Sequence, residues 1–234
     1  MRISVAAIVF LTVGGWPLIA QTPAASPREP GTEPSQSGSS TSRAETAPGS
    51  SPKITDAEIG FSYSLPAEWE TVASKDTKPD VPYPQVEAAK KGDACTEVEL
   101  TARHGSPSSV VVVVALPFYC YGQPLTAKNL PDFAAGVEEG LKRTFEVTDS
   151  AASNYSLGSH NMWLERAHGA VKGQPDSKYT LEIACTVLSK GAACWMTMAA
   201  DAAALEAFEQ GAVSLESDAP ATLVPATAFL PDKP

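Results

Sequence analysis

Hydrophobic and polar residues alternate in several short segments of the chain, and this pattern predicts strands. Phe61, Tyr63 and Leu65 alternate with serines, and Pro66 ends the segment. Residues 96–102 alternate in the same way. A period of two places one face of a strand in the core and the other in solvent. Each of these two segments is therefore predicted to be a half-buried strand.

An uninterrupted apolar run from Val110 to Leu116 predicts a different kind of strand. Its residues are mostly β-branched, and Pro117 follows the run. A continuous apolar segment of this kind suits a central strand that is covered on both faces. Further strands are predicted at 144–149, 153–157 and 162–170.

The clearest predicted hairpin covers residues 178–199. Residues 178–187 alternate, a turn follows at 189–191, and residues 192–199 return as the second strand. If the loop takes residues 188–191, Cys185 lies directly opposite Cys194. Opposed positions of adjacent strands bring Cβ atoms close to disulfide range.

Two segments have helical periodicity. The later segment begins after Asp201, a favourable N-cap residue, and ends at Gly211, a favourable C-cap residue. Its Leu205 and Phe208 are predicted to face inward. In the first, which follows Asn129, the apolar residues fall on one stripe of a helix: Leu130, Phe133, Val137 and Leu141.

These elements predict one α+β domain over residues 54–217. Its antiparallel sheet has about six strands, with one helix inserted mid-chain and one after the last strand. Because the central strand is apolar on both sides, helices are expected on both faces of the sheet, as in a layered sandwich.

Residues 1–20 have the features of a secretory signal peptide. Arg2 precedes an apolar run from Ile3 to Val13, residues 14–17 interrupt that run, and Ala20 offers a small residue for cleavage. The run is shorter than the roughly 20 residues that a membrane span needs. No cysteine lies near the cleavage point to carry a lipid. We therefore expect export to the periplasm or the extracellular space, with no stable membrane insertion after cleavage.

The segments that flank the predicted domain differ from it in composition. Residues 21–53 are rich in Pro, Ser and Gly and contain no Val, Ile, Leu, Met or aromatic residue. Such a segment has nothing to bury, so it is predicted to be a disordered linker. Residues 218–234 contain four prolines and are predicted to be an extended tail. Leu223 and Val224 could pin this tail to the domain, or it could hang free.

The chain contains four cysteines: Cys95, Cys120, Cys185 and Cys194. An even number in an oxidising compartment is first interpreted as disulfides. The close Cys-x-x-Cys spacings of a metal site are absent. We favour Cys185 with Cys194 and Cys95 with Cys120, although four cysteines allow two other pairings.

Charge and motifs narrow the function classes. The formal net charge is −10, and the few Lys and Arg residues are scattered. This argues against nucleic acids and anionic membranes as partners. The sequence has no nucleophile elbow, phosphate-binding loop or His-Glu-x-x-His motif. No catalytic residue, metal site or cofactor is therefore predicted.

The sequence offers two candidates for a binding groove. Arg166 and His168 share one face of the predicted strand 162–170, whereas Glu165 lies on the other, which argues against an acid–base pair there. Tyr119 and Tyr121 lie at the exit of the central strand. They could form a binding rim or close the end of the core.

The segment Gly60–Trp69, a strand closed by Leu-Pro-x-x-Trp, resembles the opening of PsbP-like proteins. The final hairpin and the helix that contains Phe208 are similar to the ending of that family. The resemblance covers the layout of residues 56–216. It implies an α-β-α sandwich around an antiparallel sheet, and mostly non-catalytic binding or assembly roles. No family site residue carries over, and the predicted disulfides depart from the photosynthetic members.

The leading interpretation is an exported, non-catalytic binding or assembly module whose partner is an unknown envelope or extracellular protein. One alternative is an exported enzyme of the hydrolase class whose site assembles from residues distant in sequence. Another is a carrier of a small apolar ligand, suggested by Met196 and Met198 on the inner face of the last predicted strand.

Overall fold

A computed structural model describes the central part of the chain. The predicted signal peptide, the linker before Lys53, Cys95 and Tyr121 lie outside the described residues, as does the side chain of Cys120. The described ranges are 53–66, 68–74, 97–106, 108–120 and 125–228.

These residues form eleven strands in two antiparallel sheets, together with two α-helices. The larger sheet has seven strands in the order β3-β4-β5-β9-β8-β7-β6, and the smaller has four in the order β1-β2-β10-β11. In chain order the elements are β1 (Lys53–Asp56), β2 (Phe61–Ser64), β3 (Glu70–Ser74), β4 (Glu97–His104), β5 (Ser109–Pro117), α1 (Leu130–Leu141), β6 (Phe145–Leu157), β7 (His160–Val171), β8 (Gln174–Val187), β9 (Gly191–Ala199), α2 (Ala202–Glu209), β10 (Ala212–Leu215) and β11 (Ala221–Thr222).

Strand β5 lies inside the large sheet and is buried on both faces, as its apolar run predicts. Val112 and Val114 belong to the core beneath α1. Val111 and Val113 belong to the core that contains the small sheet and α2. The antiparallel sheet and both helices are confirmed. The second face, however, is covered mainly by a small sheet, so the fold is richer in strands than the predicted helix-covered sandwich.

The small sheet joins the two ends of the described chain. Strand β2 lies between β1 and β10, so an N-terminal strand pairs with a C-terminal one. Phe61 and Tyr63 of β2 pack edge-on against Trp195 of β9, with ring centroids 5.4 and 6.2 Å apart. Trp195 is fully buried. It therefore connects the two sheets through aromatic contacts that stabilise the core.

Strand β6 is one long element where the sequence predicts two. Its register against β7 shifts between Thr148 and Ala151, which is a β-bulge. Asp149 adopts the left-handed conformation there, with φ of 51°. The bulge explains why the alternation of hydrophobic and polar residues breaks near the middle of the strand.

Helix α2 begins as predicted, but its final glycine has another role. The Asp201 carboxylate accepts a hydrogen bond from the Ala204 amide at 2.8 Å. Gly211 follows the helix without the left-handed φ that favours glycine at a C-cap. A Cβ at this position would lie 2.5 Å from Cε2 of Tyr63. Gly211 therefore allows the chain to pass close to a buried ring.

The β8–β9 hairpin has the predicted register. Cys185 lies opposite Cys194, and the two form a disulfide with Cα atoms 4.2 Å apart. The Leu188 amide donates to the Gly191 carbonyl at 2.8 Å and closes the turn. Both cysteines are buried beneath α1. This pairing is confirmed, while Cys95–Cys120 stays a prediction.

Replacing Cys185 and Cys194 together by alanine should lower the free energy of unfolding by about 2.5 kcal/mol, because a cross-link over a loop this short still restricts the unfolded chain. Urea unfolding of the double variant and the parent chain measures the difference. Substitution is preferred to a reducing agent, which would also act on the other two cysteines. Equal urea midpoints would contradict the prediction.

The described part of the predicted tail contacts the domain. Strand β11 pairs with β10, and Leu223 and Val224 are buried. The Ser153 hydroxyl donates to the Ala228 carbonyl at 2.8 Å. Phe229 and the residues after it lie outside the described residues. Neither described helix is long and apolar enough to cross a membrane.

Candidate functional site

A set of ionisable side chains in mutual contact lies between the large sheet and α2. Arg166 of β7 is directly across from Glu182 of β8 in the strand register. Its Nη2 is 2.6 Å from Glu182 Oε2, and its Nε donates to the same oxygen at 2.7 Å. Nη2 also donates to Glu209 at the end of α2. We call these three residues the Arg166 cluster.

The alternation of β7 places the Arg166 cluster on the α2 side of the sheet. Met162 and Leu164, on the same face of β7 as Arg166, are buried in the core beneath α2. Glu165 faces the other way, toward α1, and its pKa is raised by burial and by the nearby carboxylate of Glu138. Strand geometry therefore separates Arg166 from Glu165, and α2 supplies Glu209 to the cluster.

Glu182 is fully buried. Burial raises its pKa to about 7, against the attraction of Arg166, and burial also raises the pKa of Glu209. The second carboxylate oxygen, Oε1, is buried with no hydrogen-bond partner among the described residues. The nearby carboxylate of Glu209 also favours the protonated form of Glu182.

The Arg166 cluster continues toward the C-terminal segment. The hydroxyl of Tyr155 donates to the Leu223 carbonyl at 2.6 Å, and burial together with the charge of Glu182 raises its pKa. The Arg166 and Glu209 side chains keep 30% and 22% of their exposure, whereas Glu182 keeps none. Solvent therefore reaches only the outer side of the cluster. Its contacts attach α2 to the sheet.

The other candidates from the sequence lie apart from these contacts. His168 is exposed, and its carbonyl, not its imidazole, accepts a hydrogen bond from Thr148. Tyr119 is 68% exposed, while the neighbouring Phe118 packs on the core beneath α1. The short 3₁₀ turn that contains both residues thus directs one aromatic ring outward and one inward. Tyr121 is outside the described residues.

Met196 and Met198, which suggested a carrier of apolar ligands, are both buried in the core beneath α1. A cavity of 740 Å³ lies elsewhere, at the β7–β8 hairpin. Residues 173–179 and Ala200 line it. The described cavity therefore contains neither methionine and no member of the Arg166 cluster.

Three carboxylates that the sequence analysis does not identify meet between the two sheets. Asp56 of β1 and Glu97 and Glu99 of β4 each place an oxygen within 4.8 Å of the others. Asp56 also accepts hydrogen bonds from the backbone amides of Glu58 and Ile59, both at 2.8 Å. By distance, these carboxylates could hold a divalent cation. All three also interact with further groups of the chain.

A second polar set surrounds the turn between β6 and β7. His160 Nε2 is 3.6 Å from both Glu216 and Asp218. Hydrogen bonds from Ser159 lower the pKa of Asp218, and hydrogen bonds from Ser189 lower the pKa of Glu216. Glu216 adopts the left-handed conformation, with φ of 50°. These contacts attach two hairpin turns to the segment that follows β10.

Comparisons with known proteins find a distant likeness among the solved structures. No protein-family model matches the chain, and no curated protein matches it significantly. Among solved structures, the chain is similar to cyanobacterial PsbP (CyanoP) from Synechocystis sp. PCC 6803, in solution. The identity is 13%, the match covers 68% of this chain and 85% of the other, and the TM-score is 0.34. A likeness of this degree leaves the function open.

Proposed function

We propose that this chain is an exported, non-catalytic binding or assembly module whose partner is an envelope or extracellular protein. The observation that carries the proposal is the arrangement of the Arg166 cluster. Arg166 is engaged by Glu182 and Glu209, and Glu182 is fully buried. The buried carboxyl group of Glu182, whose pKa is raised to about 7, therefore lies among contacts that attach α2 to the sheet. This favours recognition by the surface of the domain over chemistry in a cleft.

One observation favours the alternative, an exported enzyme of the hydrolase class. The pKa of Glu182, raised to about 7, is typical of a carboxyl group that holds and releases a proton near neutral pH, and burial raises the pKa of Glu209 as well. Of the two, Glu209 is partly exposed and could act on a substrate. The two proposals differ in what Glu209→Gln changes. An enzyme would lose turnover, whereas a binding module would keep its partner.

We further propose that the domain is PsbP-like, as the segment Gly60–Trp69 suggests. Leu65 and Trp69, which close that strand, are both buried. The Trp69 ring lies 5.5 Å from the ring of His104 on β4. The end of the Gly60–Trp69 segment thus packs against the edge of the large sheet, as expected if this segment forms the opening of a PsbP-like domain.

The test is capture of the tagged mature chain from its native cell envelope after crosslinking. N-terminal sequencing should place the mature end at Gln21, and one partner should co-purify in stoichiometric amount. Leu11→Arg, which interrupts the apolar signal segment, is the matched control. This variant should stay in the cytoplasm and capture no partner.

Two outcomes would contradict the proposed function. In one, the exported chain captures nothing that the Leu11→Arg control does not also capture. In the other, a hydrolase screen of the purified domain finds turnover that Glu209→Gln abolishes. The second result would support the enzyme instead.

A further inference from the structure

The last strand of the large sheet, β6, has an open edge. It is 13 residues long, and among the described residues it pairs only with β7. The side chains at 148–152, 154 and 156 are exposed. An edge strand of this length presents a row of amide and carbonyl groups to which another strand can add.

The turn between β6 and β7 determines which backbone N–H and C=O groups of β6 point away from β7. Leu157 pairs with His160 across a two-residue turn, and Gly158 has a φ of 58°. The pair that flanks such a turn is hydrogen-bonded, and hydrogen-bonded pairs then alternate along the ladder. Ala152, Asn154 and Ser156 therefore direct their backbone N–H and C=O groups away from β7.

The disulfide provides an independent check of this alternation between hydrogen-bonded and non-hydrogen-bonded pairs. Continued across β7 and β8, the same alternation makes Cys185 and Cys194 a non-hydrogen-bonded pair. Such pairs have Cα atoms about 4.5 Å apart, whereas hydrogen-bonded pairs are about 5.5 Å apart. The observed separation is 4.2 Å. The assignment of outward groups on β6 is therefore consistent with the rest of the sheet.

The outward stretch of β6 that follows the bulge lacks charged residues and prolines. Residues 150–157 contain no charged residue and no proline, two features that commonly block edge pairing. The opposite edge, β3, has five residues. It begins at Glu70, which forms an ion pair with Arg103 at 2.8 Å. The two edges of one sheet thus differ in length and in charge.

We propose that β6 pairs antiparallel with β6 of a second copy of this chain, around a two-fold axis at Asn154. This proposal rests on the proposed assembly function and adds a second copy of the chain to the envelope partner. Ala152 would lie opposite the partner's Ser156, and Asn154 opposite the partner's Asn154. The outward groups of 152, 154 and 156 then meet the same groups of the partner in hydrogen-bonded pairs.

Charge favours a second copy at this edge over other surfaces of the domain. The chain has a formal net charge of −10, so two copies repel each other through most of their surfaces. Residues 150–157 bring no charge to the pairing. Between Ala152 and Ser156 the side chains are polar or small apart from Tyr155, so two strands can approach closely. The pairing joins two seven-stranded sheets into one.

Cysteine crosslinking tests this register. In Asn154→Cys the two new thiols face each other across the two-fold axis, within the Cα range of a disulfide. In Ala152→Cys they are offset by four residues, or about 14 Å along the strands. Under mild oxidation, Asn154→Cys should form covalent dimers at least about tenfold faster than Ala152→Cys. Equal rates for these two exposed positions would overturn the register.

Sedimentation of the mature chain over a concentration series provides the second measurement. The parent chain should form dimers, and Asn154→Pro should remain monomeric, because proline removes an outward N–H without removing a bond to β7. Thr71→Lys, at the opposite edge, should dimerise like the parent chain. Circular dichroism should show that each variant is folded.

The outcomes separate this inference from the proposed function. A parent chain that stays monomeric at every concentration overturns the pairing of β6 with a second copy. Capture of an envelope partner would still support the proposed binding module. A different protein crosslinked at Asn154→Cys in place of a second copy also overturns the inference. If the chain dimerises but captures no envelope partner, the pairing stands while the envelope partner is rejected.

Discussion

Replacing Arg166 by methionine should lower the free energy of unfolding by about 3–5 kcal/mol at pH 8, which is the usual cost of leaving a buried charge without its partner. Glu182 has no exposure to solvent. Its Oε2 accepts a hydrogen bond from Arg166 Nε at 2.7 Å and lies 2.6 Å from Nη2 of the same guanidinium. Methionine fills a similar volume but offers no donor. Urea unfolding of the variant and the parent chain measures the loss.

The double variant Arg166→Met with Glu182→Met is the matched control. Removing both charges leaves no buried ion, so most of the lost stability should return. Glu209 keeps access to solvent and can be hydrated. If the double variant is as unstable as Arg166→Met alone, loss of packing and not an unpaired charge would explain the effect.

Lowering the pH from about 8 to about 5 should increase the free energy of unfolding by about 2.5 kcal/mol, through the protonation of Glu182. Its pKa is about 7 in the folded chain and 4.5 as the ordinary value. Between these pH values the folded state binds the proton and the unfolded state does not. Stability therefore rises as the pH falls through 7, and this gain is complete below 4.5.

Glu182→Gln should flatten this pH dependence, because glutamine keeps the shape of the side chain without titrating. Glu165 and Glu209 also have raised pKa values, so a smaller increase in the same direction should persist. Glu216 and Asp218 have lowered pKa values, so the stability that they contribute is lost at still lower pH. Unfolding measured across this range should show a maximum of stability at mildly acidic pH. A parent chain whose stability rises with pH between 5 and 8 would contradict the assignment.

The parts of the fold that the sequence predicts are those encoded by local spacing. The register of the β8–β9 hairpin follows from a turn at 189–191, and the disulfide follows from that register. The apolar stripe of α1 follows from the helical spacing of its apolar residues. The small sheet was missed because β10 has four residues and pairs with β2 from the other end of the chain. Strands so short carry too little periodicity to reveal a distant partner.

The candidate site was only partly predictable for the same reason. Strand alternation placed Arg166 and Glu165 on opposite faces. Nothing near Arg166 in sequence indicates that Glu182 and Glu209 surround it, because β8 and α2 are positioned by tertiary packing. The meeting of Asp56 with the carboxylates of β4 depends on the contact of two separate sheets. The role of Gly211 depends on the nearby ring of Tyr63.

The pairing of β2 with β10 has a consequence for the order of folding. Because Tyr63 and Phe61 reach their final contacts only when β10 is present, the small sheet cannot close until nearly the whole domain has emerged from the ribosome. Contacts so distant in sequence also slow the search for the native topology. A nascent chain of this kind stays open for longer than one built from local hairpins, which leaves its aromatic residues available to chaperones until β10 has been synthesised.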